Sequence, residues 1–258
     1  DISWDPGQGT IDPGALSGAD AVVHLAGENI ANRRWSDKVK QQIRNSRVRS
    51  TNLLSDALAR TTRPPAVIVC ASAIGYYGNR GETILNERSE PGHGFLAEVC
   101  SDWEAAAAPA RNAGIRVVHL RIGVVLSAHG GALAQMLPPF KLGVGGILGS
   151  GRQYMSWISM EDLVRVILHT IDNPTLTGAV NAVAPFSITN RLFTKTLGRV
   201  IRRPTVLPLP AAFARVLLGE MADELLLAST RVVPEKLLSD GFIFTHTSLE
   251  DALKAELD

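Results

Sequence analysis

The sequence predicts an α/β protein: a doubly wound, mostly parallel sheet with a small, mainly helical C-terminal region. Three observations carry this prediction. From Asp20 to Ala184 short β-rich runs alternate with stretches of helical periodicity, the pattern of successive βαβ units. The runs A-V-V-H-L-A at 21–26, A-V-I-V-C-A at 66–71, I-R-V-V-H-L-R at 115–121 and A-V-N-A-V at 179–183 are nearly continuous in apolar residues, as strands buried on both faces are. After about 185 the pattern changes to shorter helical segments split by Pro204, Pro208, Pro210 and Pro234. We therefore divide the chain into an α/β domain at 1–184 and a C-terminal part at 185–258.

Taken in order, each element has a local reason. Ser36 is placed to cap a helix whose Val39, Ile43, Leu54 and Leu58 share one face. Phe95, Val99, Trp103, Ala106 and Ala110 form a similar stripe, which predicts one crossover helix over 93–112. A glycine-rich tract, G-V-G-G-I-L-G-S-G at 143–151, leads through Y-M-S-W-I-S to a further helix. Ser159 and Asp162 have capping-box spacing at its start, Leu163, Val166, Ile167 and Thr170 follow on its face, and Asn173-Pro174 ends it.

Composition narrows the class of protein. With 258 residues and 45% hydrophobic content the chain can bury a substantial core. Its longest apolar runs, such as Ala66 to Ile74, fall short of the roughly 18 residues a spanning helix needs, so no membrane partner and a cytoplasmic location are expected. A formal charge of +1 offers no field for a nucleic-acid backbone, and Arg33, Arg34, Arg44, Arg47 and Arg49 are not interleaved with aromatics. Cys70 and Cys100 lack metal spacing and are expected as buried thiols, and His24, His93, His119, His129, His169 and His246 show no ligand spacing, so no metal is expected. The motif G-x-S-x-G is absent, which removes the corresponding serine hydrolases.

Open parallel sheets bind ligands beyond the carboxyl ends of their strands. The loops there are H-L-A-G-E-N-I-A-N-R-R at 24–34, A-S-A-I-G-Y-Y-G at 71–78, R-I-G-V-V-L at 121–126 and A-V-A-P-F at 182–186, all with small residues at the strand end. In this order they resemble the extended short-chain dehydrogenase/reductases. D-A-V-V-H-L-A-G at 20–27 is similar to that group's fourth strand, S-A-I-G-Y-Y-G at 72–78 to the loop after the fifth, L-R-I-G-V-V-L at 120–126 to the sixth, and W-I-S-M-E-D-L at 157–163 to the segment near the substrate domain. L-A-G-E-N-I at 25–30, G-S-G-R-Q-Y-M-S-W-I at 149–158, L-P-L-P-A-A-F at 207–213 and G-E-M-A-D-E-L-L-L-A-S-T-R-V-V-P at 219–234 resemble its epimerase-like subgroup with a characteristic C-terminal extension.

The resemblance implies a Rossmann-type fold binding NADP or NAD, with NADP the first choice, at Asp5, Leu25, Ala26, Gly27, Ala71, Ser72, Arg121 and Gly123. It implies a small-molecule substrate near Glu28, Arg152 and Gln153, and a homodimer through the helices at 36–61 and 93–112. It also implies a G-x-x-G-x-x-G turn after a first strand, which residues 1–258 do not supply. With strand order 3-2-1-4-5-6, Ile2 to Trp4 would be the end of the third strand, Asp5 would lie near the adenine edge, and a longer natural chain is expected.

The superfamily's catalytic set is a Tyr whose pKa a nearby Lys lowers, plus an orienting Ser or Thr; a free tyrosine, near about 10, is a poor base at neutral pH. Aligning Glu104 with the family's Glu puts Leu96 at the Tyr and Cys100 at the Lys. Arg47 stands where an Asn is common, and Ala73 or, with a slip of one residue, Ser72 where the hydroxyl belongs. Tyr76 and Tyr77 remain as candidate phenols, with Arg33, Arg34 or Arg47 as the nearby charge. The sequence thus leaves two readings: an NAD(P)-dependent epimerase-like oxidoreductase with a degenerate Ser-Tyr-Lys set, or a catalytically silent nucleotide-binding scaffold or redox sensor acting on a protein partner.

Overall fold

The computed structural model describes residues 4–257. Its first element is an antiparallel pair, β1 (Trp4–Asp5) against β2 (Thr10–Ile11). Asp1, Ile2 and Ser3 lie outside the described residues, so of the expected strand end only Trp4 is described. Trp4 pairs with Ile11 in this hairpin and not with the main sheet, because Asp5 folds the chain back: its Oδ1 accepts the amides of Gly7 at 2.8 Å and Gln8 at 3.1 Å. The Trp4 ring meets His24 edge-on at 5.8 Å, which seats the hairpin against the sheet.

After a short turn, α1 (Pro13–Leu16), come β3 (Ala21–His24) and α2 (Asp37–Ala59). Ser36 caps α2, its Oγ accepting from the Val39 amide, and Ile43, Leu54 and Leu58 are buried as their spacing requires. The chain continues through β4 (Val67–Ala73), β5 (Ile84–Leu85), α3 (Phe95–Ala105), α4 (Ala108–Asn112) and β6 (Arg116–Ile122). The single helix expected over 93–112 is therefore two. Pro109 explains the break: it donates no N–H, and its ring crowds the carbonyl four residues back, so the helix stops at Ala105 and restarts with Pro109 in its first turn.

Next are β7 (Val124–Leu126), α5 (Gly131–Lys141), β8 (Tyr154–Met155), β9 (Trp157–Ser159), α6 (Met160–Asp172) and β10 (Gly178–Ala182). The main sheet is parallel throughout, in the order β10-β6-β4-β3. Ser159 caps α6 as its sequence predicts, but Asp162 does not complete a capping box. Its carboxylate instead accepts the amides of Thr245 at 2.8 Å and His246 at 2.9 Å, holding a distant segment of the chain.

The C-terminal elements are β11 (Ile188–Thr189), α7 (Asn190–Val200), α8 (Ala211–Leu218), β12 (Arg231–Val232), α9 (Glu235–Ser239) and α10 (Leu249–Leu257). They join what precedes them: β11 pairs with β8, β12 with β5, and the glycine tract runs beside L-P-L-P through Gly149 N to Leu209 O and Leu209 N to Ile147 O, both 2.9 Å.

Alternating strand positions fill two cores. Val67, Val69, Val118, Leu120, Val180 and Ala182 pack on α6 and on Leu237, Phe242 and Phe244 from the C-terminal part. Ile68, Cys70 and Val117 face the opposite way, onto Leu54, Leu58, Ala107 and Ala110. Both faces of the sheet are thus covered, which leaves its carboxyl edge as the place for a ligand.

Candidate functional site

The loop after β3 forms one wall at the carboxyl edge of the sheet, beside the loop after its parallel neighbour β4. Leu25, Ala26, Gly27 and Glu28 are exposed there, while His24 beneath them is buried and anchored. His24 Nε2 lies 3.0 Å from Thr51 Oγ1, which also accepts from Trp103 Nε1 at 2.9 Å, and burial lowers the His24 pKa from its ordinary value. The Glu28 amide donates to Ser46 Oγ at 3.0 Å, tying the loop to α2. Position 27 is close to Arg47: a Cβ there would sit 3.2 Å from Arg47 Cζ, so a larger side chain would have to push the guanidinium aside.

The second wall follows β4. Ala71 and Ser72, expected at the cofactor, are buried strand residues in register with Leu120 and Arg121. The half-exposed surface is one turn later, at Ala73 to Tyr76. Gly75 faces α3 here, 3.3 Å from Leu96 Cβ and 3.7 Å from Cys100 Sγ as measured from the place its own Cβ would take. Leu96 and Cys100 therefore sit behind this loop as apolar packing, and burial pushes the Cys100 thiol up to about 12.

Beneath both walls runs a polar row absent from the sequence expectations as a unit. Ser72, Arg121 and Asn181 stand side by side in register across β4, β6 and β10. Ser72 Oγ donates to Glu104 Oε1 at 2.8 Å, and Arg121 grips the same carboxylate with Nε at 2.8 Å and Nη2 at 2.9 Å. Arg121 Nη1 donates to the Tyr77 hydroxyl at 3.0 Å, which in turn donates to Asn181 Oδ1 at 2.7 Å. Asn181 Nδ2 reaches Val233 O at 3.0 Å, and its amide N–H reaches Glu87 Oε1 at 3.1 Å. The row binds strands, α3 and the C-terminal part together.

These contacts give several of the expected site residues structural partners. Tyr77 is completely buried, and burial pushes its pKa up to about 12 against the opposing pull of Arg121, so its phenol is a structural hydrogen-bonder and no base near neutral pH. Ser72 and Arg121 have their polar atoms taken by Glu104 and Tyr77. Gly123 is required by packing, since a Cβ would lie 2.7 Å from Ser156 O. Asp5 is occupied in its own turn. Gln153 donates to Leu148 O at 3.1 Å and Leu226 O at 3.2 Å, which makes it a backbone tie.

Of the other residues singled out, Tyr76 is half-exposed and carries Arg121 Cζ 3.4 Å from its ring centre. Arg152 is exposed, and Glu28 lies 3.8 Å from Arg33. Glu104 and Asn181 had served only as an alignment anchor and a strand residue. The legible signal for the row was a polar residue one place before the end of three apolar strands, in V-I-V-C-A-S-A, R-V-V-H-L-R-I and G-A-V-N-A.

Comparison with known proteins agrees with this architecture. Residues 13–182 match the model of the NAD dependent epimerase/dehydratase family, and residues 209–256 match DUF1731, a domain of unknown function. The chain is similar to epimerase family protein Mb2239 of Mycobacterium bovis, with 48% identity over 253 residues, covering 98% of this chain and 83% of that one. It is also similar to a crystal structure of human epimerase family protein SDR39U1 (isoform 2) with NADPH, at a TM-score of 0.88 and 36% identity, covering 93% of this chain and 82% of that chain. A nucleoside-diphosphate sugar epimerase from Corynebacterium glutamicum matches at a TM-score of 0.79 and 38% identity, over 99% of this chain and 49% of that chain.

Proposed function

The chain belongs to the NAD dependent epimerase/dehydratase family, and from that premise we propose that it is an NADPH-using oxidoreductase acting on a small-molecule carbonyl or hydroxyl. One observation carries the reading: the exposed small-residue loop at Leu25 to Gly27 and the half-exposed turn at Ala73 to Tyr76 follow two adjacent parallel strands, β3 and β4, at the carboxyl edge of the sheet, and we take the space between them as the ligand crevice. A flat dinucleotide fits walls of this kind, because neither carries a bulky side chain at Ala26, Gly27, Ala73 or Gly75. The human relative solved with NADPH supports the choice of that cofactor. When bound, the nicotinamide supplies or accepts the hydride.

Proton handling falls to Tyr76. Its hydroxyl has no protein partner among the described residues, and the Arg121 guanidinium lies against its ring, with Cζ 3.4 Å from the ring centre. The Tyr77 ring packs edge-on against the Tyr76 ring, with centres 5.3 Å apart, and Ser72 holds Glu104, the partner of Arg121. Glu28 and Arg152, both exposed, are our candidates for polar groups of the substrate. The two buried, unpaired thiols fit a reducing compartment, the cytoplasm. A homodimer through the outer faces of α2 and α3 belongs to the same proposal, and sedimentation tests it.

The rival reading is a dinucleotide-binding scaffold or sensor that acts on a protein partner. What favours it is the consumption of the Ser72 and Tyr77 hydroxyls inside the row, with Leu96 and Cys100 inert behind Gly75. Oxidation of NADPH with a panel of aldehydes, ketones and keto-sugars separates the two. Turnover lost in Tyr76→Phe supports the oxidoreductase. NADPH binding without oxidation of any panel member supports the sensor.

A further inference from the structure

We propose that Arg47 is an anion-holding residue of the crevice, taking a diphosphate oxygen of the bound ligand on the free edge of its guanidinium. The inference rests on the crevice being the ligand site, and it assigns a contact that neither the family match nor the fold assigns.

Arg47 is half-buried between α2 and α3, with its guanidinium carbon 5.1 Å from the ring centre of Trp103. One nitrogen, Nη1, donates to Ile43 O at 3.2 Å and Ser46 Oγ at 3.4 Å. Nε and Nη2 donate to no acceptor among the described residues. Its acidic neighbour on the loop, Glu28, stands instead 3.8 Å from Arg33. The other neighbour, Cys100, keeps its proton at neutral pH, since burial pushes that thiol up to about 12.

Three other shielded guanidinia among the described residues are matched by acceptors. Arg121 has Glu104, Arg165 has Asp162, and Arg116 has the carbonyls of Thr170, Ile171 and Leu176. A shielded charge without such partners is destabilising. Accordingly burial lowers the Arg47 pKa from its ordinary value, opposed by Cys100 and Glu28. An arriving diphosphate would supply two-point hydrogen bonding to the open Nε–Nη2 edge, the geometry in which arginine binds phosphate best. Glycine at position 27 leaves this edge uncovered where a larger side chain would press on it.

Two ligands carry that chemistry, a dinucleotide cofactor and a nucleoside diphosphate substrate, and the probes are chosen to separate them. Arg47→Gln removes the charge, Arg47→Met removes it while keeping an apolar stem on Trp103, and Arg47→Lys retains it. NADPH is titrated by fluorescence, UDP is titrated calorimetrically into NADPH-loaded protein, and inorganic pyrophosphate is added alone while the melting temperature is followed. The expected result is an affinity loss of about ten-fold or more in both uncharged variants, largely rescued in Arg47→Lys. Loss toward NADPH identifies the cofactor as the source, and loss toward UDP alone identifies the substrate. If the wild-type chain binds no NADPH but its melting temperature rises with pyrophosphate only when Arg47 is present, the anion site stands and the dinucleotide reading falls. Wild-type affinity for all three probes in whichever uncharged variant folds would overturn the proposal.

Discussion

At the scale of single residues, the Glu104–Arg121–Tyr77–Asn181 row decides which groups are free for chemistry. Arg121 is 4% exposed and Glu104 14%, so removing one partner strands the other in a poorly solvated place. Glu104→Ala is expected to cost roughly 3–5 kcal/mol in urea unfolding. Tyr77→Phe removes one hydroxyl that both donates and accepts, and should cost about 1–2 kcal/mol while leaving the pH profile of any turnover unmoved. A lost or shifted profile in Tyr77→Phe would return that phenol to the acid/base role. The two tyrosines could not be told apart in sequence, because Y-Y reads the same whichever ring turns inward. The structure separates them by the turn at Ile74–Tyr77, which buries the second and leaves the first half-exposed.

At the scale of elements, local signals were legible where they were self-contained. Ser36 and Ser159 cap the helices that follow them, and Asn173 ends α6 as Asn-Pro implies. Signals with distant partners were not legible. Gly94 offers α3 no side-chain cap, and Glu224, far along the chain, supplies one by accepting from the Leu96 amide at 3.1 Å. Asp162 looked like part of a capping box, yet its carboxylate holds the Thr245 and His246 amides. Asp162→Ala leaves those two donors unmatched, and a loss of roughly 2–3 kcal/mol is expected. Faster protease cleavage near 245 should accompany it; an unchanged cleavage rate would show that α10 and its neighbours hold the segment without Asp162.

At the scale of the whole molecule, the C-terminal part is woven into the α/β core, since Leu237, Phe242 and Phe244 share one cluster with the sheet and Phe193, Leu197, Leu249 and Leu253 another with Leu126 and Trp157. The composition shift after 185 was readable, but the packing across it was not, because contacts between distant apolar residues leave no local pattern. A buried imidazole contributes to the molecule's response to acid. Burial holds the His119 pKa down at about 4 from an ordinary 6.5, with Glu104 opposing and Arg111 and Arg121 adding to the depression. Between those values the unfolded chain takes the proton and the folded chain does not, so the contribution to stability is complete above 6.5 and is lost as pH falls toward 4. The loss is on the order of 3 kcal/mol. His119→Gln should flatten this part of the stability–pH curve, and a curve of wild-type slope would assign the acid sensitivity elsewhere.

The claim on which the functional account turns is that the crevice between Leu25–Gly27 and Ala73–Tyr76 holds a nicotinamide dinucleotide. Fluorescence titration of NADPH and NADH into the purified full-length protein tests it most directly. The account predicts saturable binding of one molecule per chain with NADPH preferred, and a signal that never saturates with either nucleotide would contradict it.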